Sequence, residues 1–562
     1  MTAGLLLASS FIVPLFMLAA ALAQRTRARL PDLLPFAPLP ALLATLMVPE
    51  GTVVVMPRSL LGITLSLDKP GAMLLGAASL LWIAGGIYAR QMLQDAERAV
   101  RFAIWWLTTL SGSLGVFIAA DMIGFYFFYT LVSLAAYGLV AYDETPAARR
   151  ASTIYVALAL LGEAFLLMAF VLLAAATPGN SLLISDAVAA LRSSPWSNVT
   201  LLLIVLGFGL KIGLVPLHVW MPLTYSAAPI PAAAVLSGAA VKAGVIGLIR
   251  FLPFDVSLAG WSEVLMVLGF VSAFYGVAIG LAQTNPKAVL AYSSVSQMGL
   301  LAAVLGMGLG SGSRAALLPV AFYAVHHMLA KGGLFLALGA AASRPRNTWL
   351  VLVPTVVLAL ALAGLPFTGG QLAKMAIKDP LGDGVASVLA PISAVGSALL
   401  MLHFLYLFRA GIAEDPADRP SAAAVVAWLM MVFAALALPW SLFPTIDGAS
   451  WGDALRPQEL WSAAWPILVA GLLAVLLRPW RARLPRIPEG DVLVIAEEEG
   501  ELAPLDQAIF ATEAAAGEDA PGRWLYPLLE RLAVPVLLRR GADPAWLAMA
   551  AAGAAWLGVL LT

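Results

Sequence analysis

Apolar residues in this chain come in long unbroken blocks, with few charges between them. Blocks near 4–23, 31–48, 70–88, 103–119, 122–141, 153–175, 198–217, 228–250, 261–283, 288–308, 315–341, 349–374, 385–408, 422–443, 460–477 and 543–562 stand out. Each approaches or exceeds the roughly 20 residues a helix needs to cross a bilayer, so the pattern predicts about sixteen spans. Membrane β-strands alternate apolar and polar residues over about ten positions, and these blocks do not. Proline and glycine interrupt several blocks. SAAPIPAAA (226–234) opens one span and AGLPFTGGQLAK (363–374) breaks another. Such breaks free carbonyls that lipid cannot satisfy, so they face protein or a water-filled cavity. A broken helix in each half of a transporter points to inverted repeats around a central pathway. The expected fold class is an all-α polytopic membrane protein of 14–16 transmembrane helices.

Composition agrees: 61% of the 562 residues are hydrophobic and 11% are charged, with a mean hydropathy of +0.92. A soluble surface cannot be covered with so few charges. The formal net charge is zero, so nothing advertises nucleic acid, and there are no cysteines. That removes disulfides, thiolate chemistry, iron–sulfur clusters and cysteine zinc sites together. The first apolar run lacks a basic leader and a small-residue cleavage site, and reads as a retained helix. The loops with RTRAR (25–29), RQMLQDAERAVR (90–101), Arg149–Arg150 and SRPRN (343–347) fall on one side if every block crosses. The opposite loops carry single basic residues such as Arg58, Arg192 and Arg314. The positive-inside rule then puts the basic loops in the cytoplasm and the N-terminus outside.

Residues 1–478 form one nearly continuous membrane domain, and the composition changes after it. The segment 479–540 holds RPWRARLPRIPEGD, the acidic EEEGE (497–501), and the amphipathic WLYPLLERLAVPVLLRR. It reads as a cytoplasmic linker with an interface-lying helix, or as a docking strap along neighbouring subunits.

The lysines are the most informative residues. Only seven of the 32 basic side chains are lysine, and Lys211, Lys242, Lys331 and Lys374 lie within or just inside predicted spans. All four histidines, His218, His326, His327 and His403, are in or beside spans. A charge at mid-bilayer costs on the order of 2.5–3.5 kcal/mol on insertion scales. Arginine holds its proton in proteins, whereas a buried lysine can give its proton up and recover it beside an acid. Lys211 (GLKIG), Lys242 (AVKAG) and Lys331 (AKGG) are flanked by small residues, which allow close helix approach and leave room for water. Lys69 and Lys287, beside prolines at span ends, read as structural, and Lys378 near another end is undecided. Glu163, in LLGEAFLL, is the clearest mid-span carboxylate and the preferred partner of Lys211. Asp121 sits between two adjacent spans, and Asp68 in LSLDKP reads as a helix cap.

FGLKIGLVPLHVWMP (208–222) and AAPIPAAAVLSGAAVKAGVIGLIR (227–250), followed by PKAVLAYSSVSQMG (286–299), HHMLAKGGLF (326–335) and GLPFTGGQLAK (364–374), form an ordered set. In these blocks the chain resembles the antiporter-like subunits of respiratory complex I, Mrp-type cation/proton antiporters and membrane-bound hydrogenases. The LSGAAVKAG…R form looks closest to the formate-hydrogenlyase and hydrogenase branch. The resemblance covers roughly residues 60–410. It implies two inverted five-helix repeats, with N-terminal helices in 1–120, half-channel repeats in 121–250 and 251–410, and C-terminal helices in 411–478. The linker 479–540 and a last transmembrane helix in 541–562 complete that division. The resemblance also implies a row of protonatable groups. Lys211 matches the lysine of the first half-channel, Lys242 the connecting lysine and Lys374 the lysine on the second broken helix. His218 and the His326/His327/Lys331 group would bridge these sites. In one place the chain departs from the family: FYFFYTLVSLAAYGLV puts Thr130 where a glutamate is usual. Glu163, one span later, is the expected replacement.

The expected function is a proton-translocating, antiporter-like subunit of a multisubunit bacterial inner-membrane complex, of respiratory, hydrogenase or Mrp type. Protons would move along Glu163, Lys211, His218, Lys242, His326, His327, Lys331 and Lys374, with Asp121, Thr130, Lys378 and His403 as accessory candidates. Sodium would need clustered oxygen ligands, and the buried groups are mostly nitrogen bases. Two other readings stay open: a non-conducting scaffold, and a stand-alone antiporter or inorganic-carbon uptake component. No catalytic constellation is visible, no cofactor is expected, and no metal site is expected. His326 and His327 are adjacent and cannot chelate one ion as an i,i+4 pair would. GGQLAK also lacks the first glycine and the Ser/Thr of a phosphate-binding loop.

Overall fold

The computed structural model describes residues 2–21, 24–57, 62–93, 95–342, 348–412, 422–479 and 486–498. Helix α1 (Thr2–Ala19) and the short α2 (Leu39–Met47) lead into a hairpin of β1 (Val53–Met56) and β2 (Ile63–Ser66), in which Val53 pairs with Ser66. The bundle then runs through α3 (Lys69–Met92), α4 (Ala96–Gly115), α5 (Met122–Val140) and α6 (Pro146–Ala176). It continues with α7 (Ser197–Ile212), α8 (Trp220–Ala227), α9 (Ile230–Val235) and α10 (Lys242–Phe251), then α11 (Ala259–Leu281), α12 (Pro286–Ser311) and α13 (Leu317–Ala342). Helices α14 (Trp349–Ala363), α15 (Gly369–Ala376), α16 (Val385–Ile412), α17 (Ala422–Leu442) and α18 (Pro457–Leu476) follow, and α19 (Asp491–Glu498) ends the described chain.

Ten helical segments among the described residues are long and apolar enough to cross a membrane, matching ten of the expected spans. The block 31–48 is not one span: Pro31, Pro35, Pro38 and Pro40 break it into the turn Leu30–Leu33 and α2, because proline removes a helical donor and clashes with the preceding turn. The break expected within 349–374 separates α14 from α15, and the expected span 198–217 stops early, at Ile212, before a loop that leads into α8. The hairpin was not expected from the hydropathy pattern. The apolar block 543–562 and the stretch 499–540 lie outside the described residues.

Short polar loops start the helices. Asp68, Asp95, Asp121, Thr145 and Asn285 each accept a backbone N–H of the following first turn. Such a cap is worth about 1 kcal/mol. Ion pairs join loops at each end of the bundle. Arg90 meets Asp32 at 2.8 Å and Arg101 meets Glu144 at 2.9 Å at the end that carries the basic loops. At the opposite end Arg250 donates to the carbonyls of Val116, Phe117 and Ala119 and to Asp68. Helices α11 and α12 approach closely along glycines: a Cβ on Gly299 would lie 2.5 Å from the Gly269 carbonyl oxygen. Outward-facing Leu160, Leu167 and Val171 on α6, and Val264, Val267 and Val271 on α11, are exposed, as expected of a lipid-facing surface.

Both helix breaks are stabilised by local side chains. Gly213 ends α7 in the left-handed region at φ 73°, the Trp220 indole donates to the Leu210 carbonyl at 2.9 Å, and Ser272 accepts the Val215 N–H at 3.0 Å. Gly364 ends α14 at φ 99°, Gln371 accepts the Phe367 N–H at 2.7 Å, and its amide donates to the Ala454 carbonyl at 2.6 Å. A π-turn over Leu236–Ala240 joins α9 to α10. There the Val241 N–H reaches back five residues to the Leu236 carbonyl. The Ser237 carbonyl, which Val241 would occupy in an α-helix, is thereby free.

Candidate functional site

The irregular backbone lies where the charged side chains are. Glu163, Lys211, His218, Lys242, His326, His327 and Lys331 are each at most 5% exposed. Thr130 on α5 donates to Glu163 Oε2 at 2.5 Å. One turn further along α5, Ser133 accepts from Lys211 Nζ at 2.9 Å, and the Tyr155 hydroxyl accepts at 3.3 Å. Tyr155 in turn donates to the Ser133 carbonyl at 2.7 Å. Glu163 and Lys211 therefore share one polar cluster, through hydroxyl groups of α5 and α6 and not through a direct ion pair. Glu163 Oε1 has no hydrogen-bond partner among the described residues. A small cavity borders this cluster, lined by Tyr129, Ser133, Tyr155, Gly162, Lys211 and Trp220.

Three observations link this cluster to α10. Gly244, two residues past Lys242, faces the Cβ of Lys211, where an added methyl would stand 3.1 Å away. Trp220 packs on Tyr155 with ring centroids 5.3 Å apart and on Tyr225 at 5.9 Å. The Tyr225 hydroxyl donates to the Leu236 carbonyl at the start of the π-turn, at 3.4 Å.

Lys242 occupies the next position. Its Nζ donates to the freed Ser237 carbonyl at 3.3 Å and lies 2.6 Å from His327 Nδ1. π-Turns often mark functional positions in helices, and this one supplies an acceptor to a buried lysine. On α13, Lys331 donates to the Leu290 carbonyl and the Ser293 hydroxyl of α12. His326 turns the other way, toward α15, with Nδ1 2.8 Å from where a Cβ on Gly369 would stand. The adjacent histidines thus face two sides of α13. Neither ring nitrogen of His326 has a hydrogen-bond partner among the described residues. Lys374 on α15 donates to the Ala363 carbonyl that the second break exposes. A Cβ on Gly364 would lie 2.8 Å from Lys374 Nζ, so that glycine supplies both the turn and the space for the lysine.

The accessory candidates divide. Thr130 belongs to the Glu163 cluster. Asp121 caps α5 through the Gly124 N–H at 2.7 Å and holds the Thr64 N–H of β2 at 2.6 Å. Lys378 lies half-exposed in an ion pair with Glu459 at 2.8 Å. His403 Nε2 meets the Gln283 carbonyl at 2.8 Å. Lys287 donates to the Ser226 and Ala228 carbonyls at the end of α8, a structural contact.

Several site residues gave no signal in the sequence. Ser133, Tyr155, Tyr225 and Ser293 read as ordinary helix-packing residues. The Gln297–Tyr323 pair, with Gln297 donating to Ser397 at 2.7 Å, adds a buried polar bridge between α12, α13 and α16. Asp491 gave no signal either: its Oδ2 lies 3.0 Å from His218 Nε2.

The profile of the NADH:quinone oxidoreductase/Mrp antiporter transmembrane family matches residues 119–400. The chain is 30% identical over 368 residues to the N subunit of the NADH-quinone oxidoreductase of Desulforudis audaxviator, covering 61% of this chain and 71% of that protein. It is 25% identical over 370 residues to a Na(+)/H(+) antiporter subunit of Alkalihalophilus pseudofirmus, covering 62% and 73% of the two chains. Against hydrogenase-4 component B of Escherichia coli identity is 27% over 295 residues, half of this chain and 44% of that one. Among solved structures, a chain of the Mrp complex from Dietzia superposes with a TM-score of 0.67 at 22% identity, over 85% of this chain and all of the other. A chain of the archaeal membrane-bound sulfane sulfur reductase gives 0.66 at 20% identity, over 84% and 99%. With that fold, the broken helices and the matched profile in agreement, the chain belongs to the NADH:quinone oxidoreductase/Mrp antiporter transmembrane family.

Proposed function

We propose that this chain conducts protons along a buried row, as one membrane subunit of a multisubunit complex in a bacterial inner membrane. The row runs from Glu163 and Lys211, through Lys242 and His327, to Lys331, His326 and Lys374. The relatives named as subunits or components, and the two solved complexes, support assembly with other membrane subunits.

One contact carries the reading. Lys242 Nζ and His327 Nδ1 lie 2.6 Å apart, and both are fully buried. A hydrogen bond needs one acceptor, so at least one of these two bases is neutral whenever the contact is made. Two full charges at that distance would repel by about 6 kcal/mol at an effective dielectric of 20. The pair is therefore built to hold one proton fewer than its two bases could take, with Lys331 available as the next base on the same helix. A proton arriving at Lys211 from Glu163 raises the cost of a charge on Lys242, and that proton moves to His327 and onward. Some relatives are Na(+)/H(+) antiporters by name, but the groups along this row are chiefly nitrogen bases, which bind protons and not sodium.

The test is proton flux in vesicles that carry the assembled complex. Lys242→Met should abolish most of the flux while assembly, read by co-purification, is kept. Undiminished flux in that variant would defeat conduction along the row and leave a scaffold.

A further inference from the structure

Beyond the row and the Asp121 cap, one more buried carboxylate stands out among the described residues, and it comes from outside the bundle. Residues 486–490 and α19 follow the last described span and lie against the ends of α11 and α12 on the basic-loop side. Asn285 donates to Glu489 at 2.7 Å, and Gln283 donates to the Ile487 carbonyl at 3.1 Å. Gly490 fits against Leu223 of α8, where a Cβ would come within 2.9 Å. This anchoring carries Asp491 inward, where it is 1% exposed. Its Oδ2 meets His218 Nε2 at 3.0 Å and accepts the hydroxyls of Tyr275 at 3.0 Å and Tyr292 at 2.9 Å. The chain has thus brought a carboxylate 273 residues along in sequence to a histidine just past the first helix break.

Burying a carboxylate needs compensation, and a tail segment could have rested on the bundle end without inserting one. The compensation includes two phenol donors, Tyr275 and Tyr292, that also flank the imidazole: the Tyr275 ring is edge-on to His218 with centroids 5.0 Å apart. His218 Nδ1 is buried and without a hydrogen-bond partner among the described residues. One ring nitrogen therefore faces the tail carboxylate, and the other is left for an exchangeable partner. The titratable groups around the site are Tyr275 on α11, Tyr292 and Lys287 on α12, His403 on α16 at the Gln283 carbonyl, and Glu489 beside Asn285.

We propose that Asp491 and His218 form a proton-loading site through which the tail segment feeds the row from the basic-loop side. This rests on the reading that the row conducts. A proton taken up by the Asp491 carboxylate passes from Oδ2 to Nε2, giving an aspartate and an imidazolium. The imidazolium then passes its Nδ1 hydrogen on toward the row, where a neutral Lys211 amine, seven residues earlier in the sequence, is the base that finally takes it. One proton enters, one leaves, and the ring resets by turning over. Tyr275 and Tyr292 are positioning residues that hold the carboxylate in line.

The experiment uses the full chain in its complex, reconstituted in vesicles, with pH varied separately on the two sides. Asp491→Asn keeps the shape and the tyrosine contacts but cannot carry the proton. It should lower flux by about tenfold or more, the usual range for a lost acid–base group. It should also flatten the dependence on pH at the basic-loop side alone, and Asp491→Glu should recover most of the flux. Flux in Asp491→Asn within twofold of wild type, with Lys211→Met still blocked, overturns the loading site and leaves the row intact. Equal loss in Asp491→Asn and Asp491→Glu, with an unchanged pH profile, also overturns it, because a docking contact alone would behave that way. Wild-type flux that is insensitive to Lys211→Met defeats the conducting row, and this site with it.

Discussion

We propose that Glu163 stands in for the acid that the family resemblance leads one to expect at Thr130. The family glutamate expected on α5 is absent, yet a carboxylate from α6 reaches the same place and accepts the threonine hydroxyl at 2.5 Å. Lys211 is held one turn away by Ser133, so the distance between acid and base is set by the pitch of α5. Glu163→Gln removes the carboxylate that balances Lys211 in this cluster, and flux should fall by about tenfold or more. Adding Thr130→Glu to that variant puts the carboxylate back on α5, and most of the flux should return. If the double variant stays as slow as the single one, the position on α6 matters in itself and the replacement idea fails. The pairing of Thr130 with Glu163 was legible in the sequence, since a gap at Thr130 and a spare acid at Glu163 are both visible there. The hydroxyls between them were not, because serine and tyrosine on apolar helices serve packing as often as chemistry, and only tertiary contacts tell the two apart.

Among the elements, the close pairing of α11 with α12 supports the first helix break from outside. Gly299→Ala would place its methyl 2.5 Å from the Gly269 carbonyl oxygen and 2.7 Å from the Ser272 Cβ. Ser272 is the residue that accepts the Val215 N–H, so displacing α11 disturbs the loop between Lys211 and His218. Overpacking of this kind costs about 1–3 kcal/mol, and the melting temperature in detergent should fall accordingly. Gly260→Ala on α11 is the control, because nothing lies within 4 Å of its Cβ and no loss should be seen. At the opposite end, Arg250→Met leaves three carbonyls near residues 116–119 without their donor. Hydrogen bonds to a charged group are worth about 1.5–3 kcal/mol each, and one of the partners, Asp68, is 44% exposed and easily rehydrated. A loss of about 4 kcal/mol or more in unfolding is expected from the three buried carbonyl contacts, with no change in the pH profile of flux. The long spans were readable because lipid imposes one simple rule on them. The split of 31–48, the hairpin and the π-turn were not, since each answers to local prolines or to a tertiary acceptor.

For the whole molecule, residue type pointed to the buried bases: lysine is rare here and concentrated in the spans, whereas the arginines lie mainly in loops and at span ends. The tail carboxylate could not be found that way, because Asp491 sits in a polar stretch where an acid needs no explanation. Whether the buried groups form one path or two is a property of the whole row. The contacts of Lys242 with His327 and of Gly244 with Lys211 put α10 between the first break and α13. In a single series path every proton crosses that helix. Lys211→Met and Lys374→Met should then each abolish flux to the same background, and the double variant should be no slower than either. Two half-channels in parallel would behave differently: each single variant would keep about half of the flux, and only the double would reach background, as independent sites add. Vesicle flux for the two single variants and their combination, at matched incorporation, separates these cases. Half-flux in both singles would sink the series row while leaving each half-channel competent. Equal, complete loss in all three would mean that the break at Gly213 and the break at Gly364 serve one continuous path, joined through the Lys242–His327 pair.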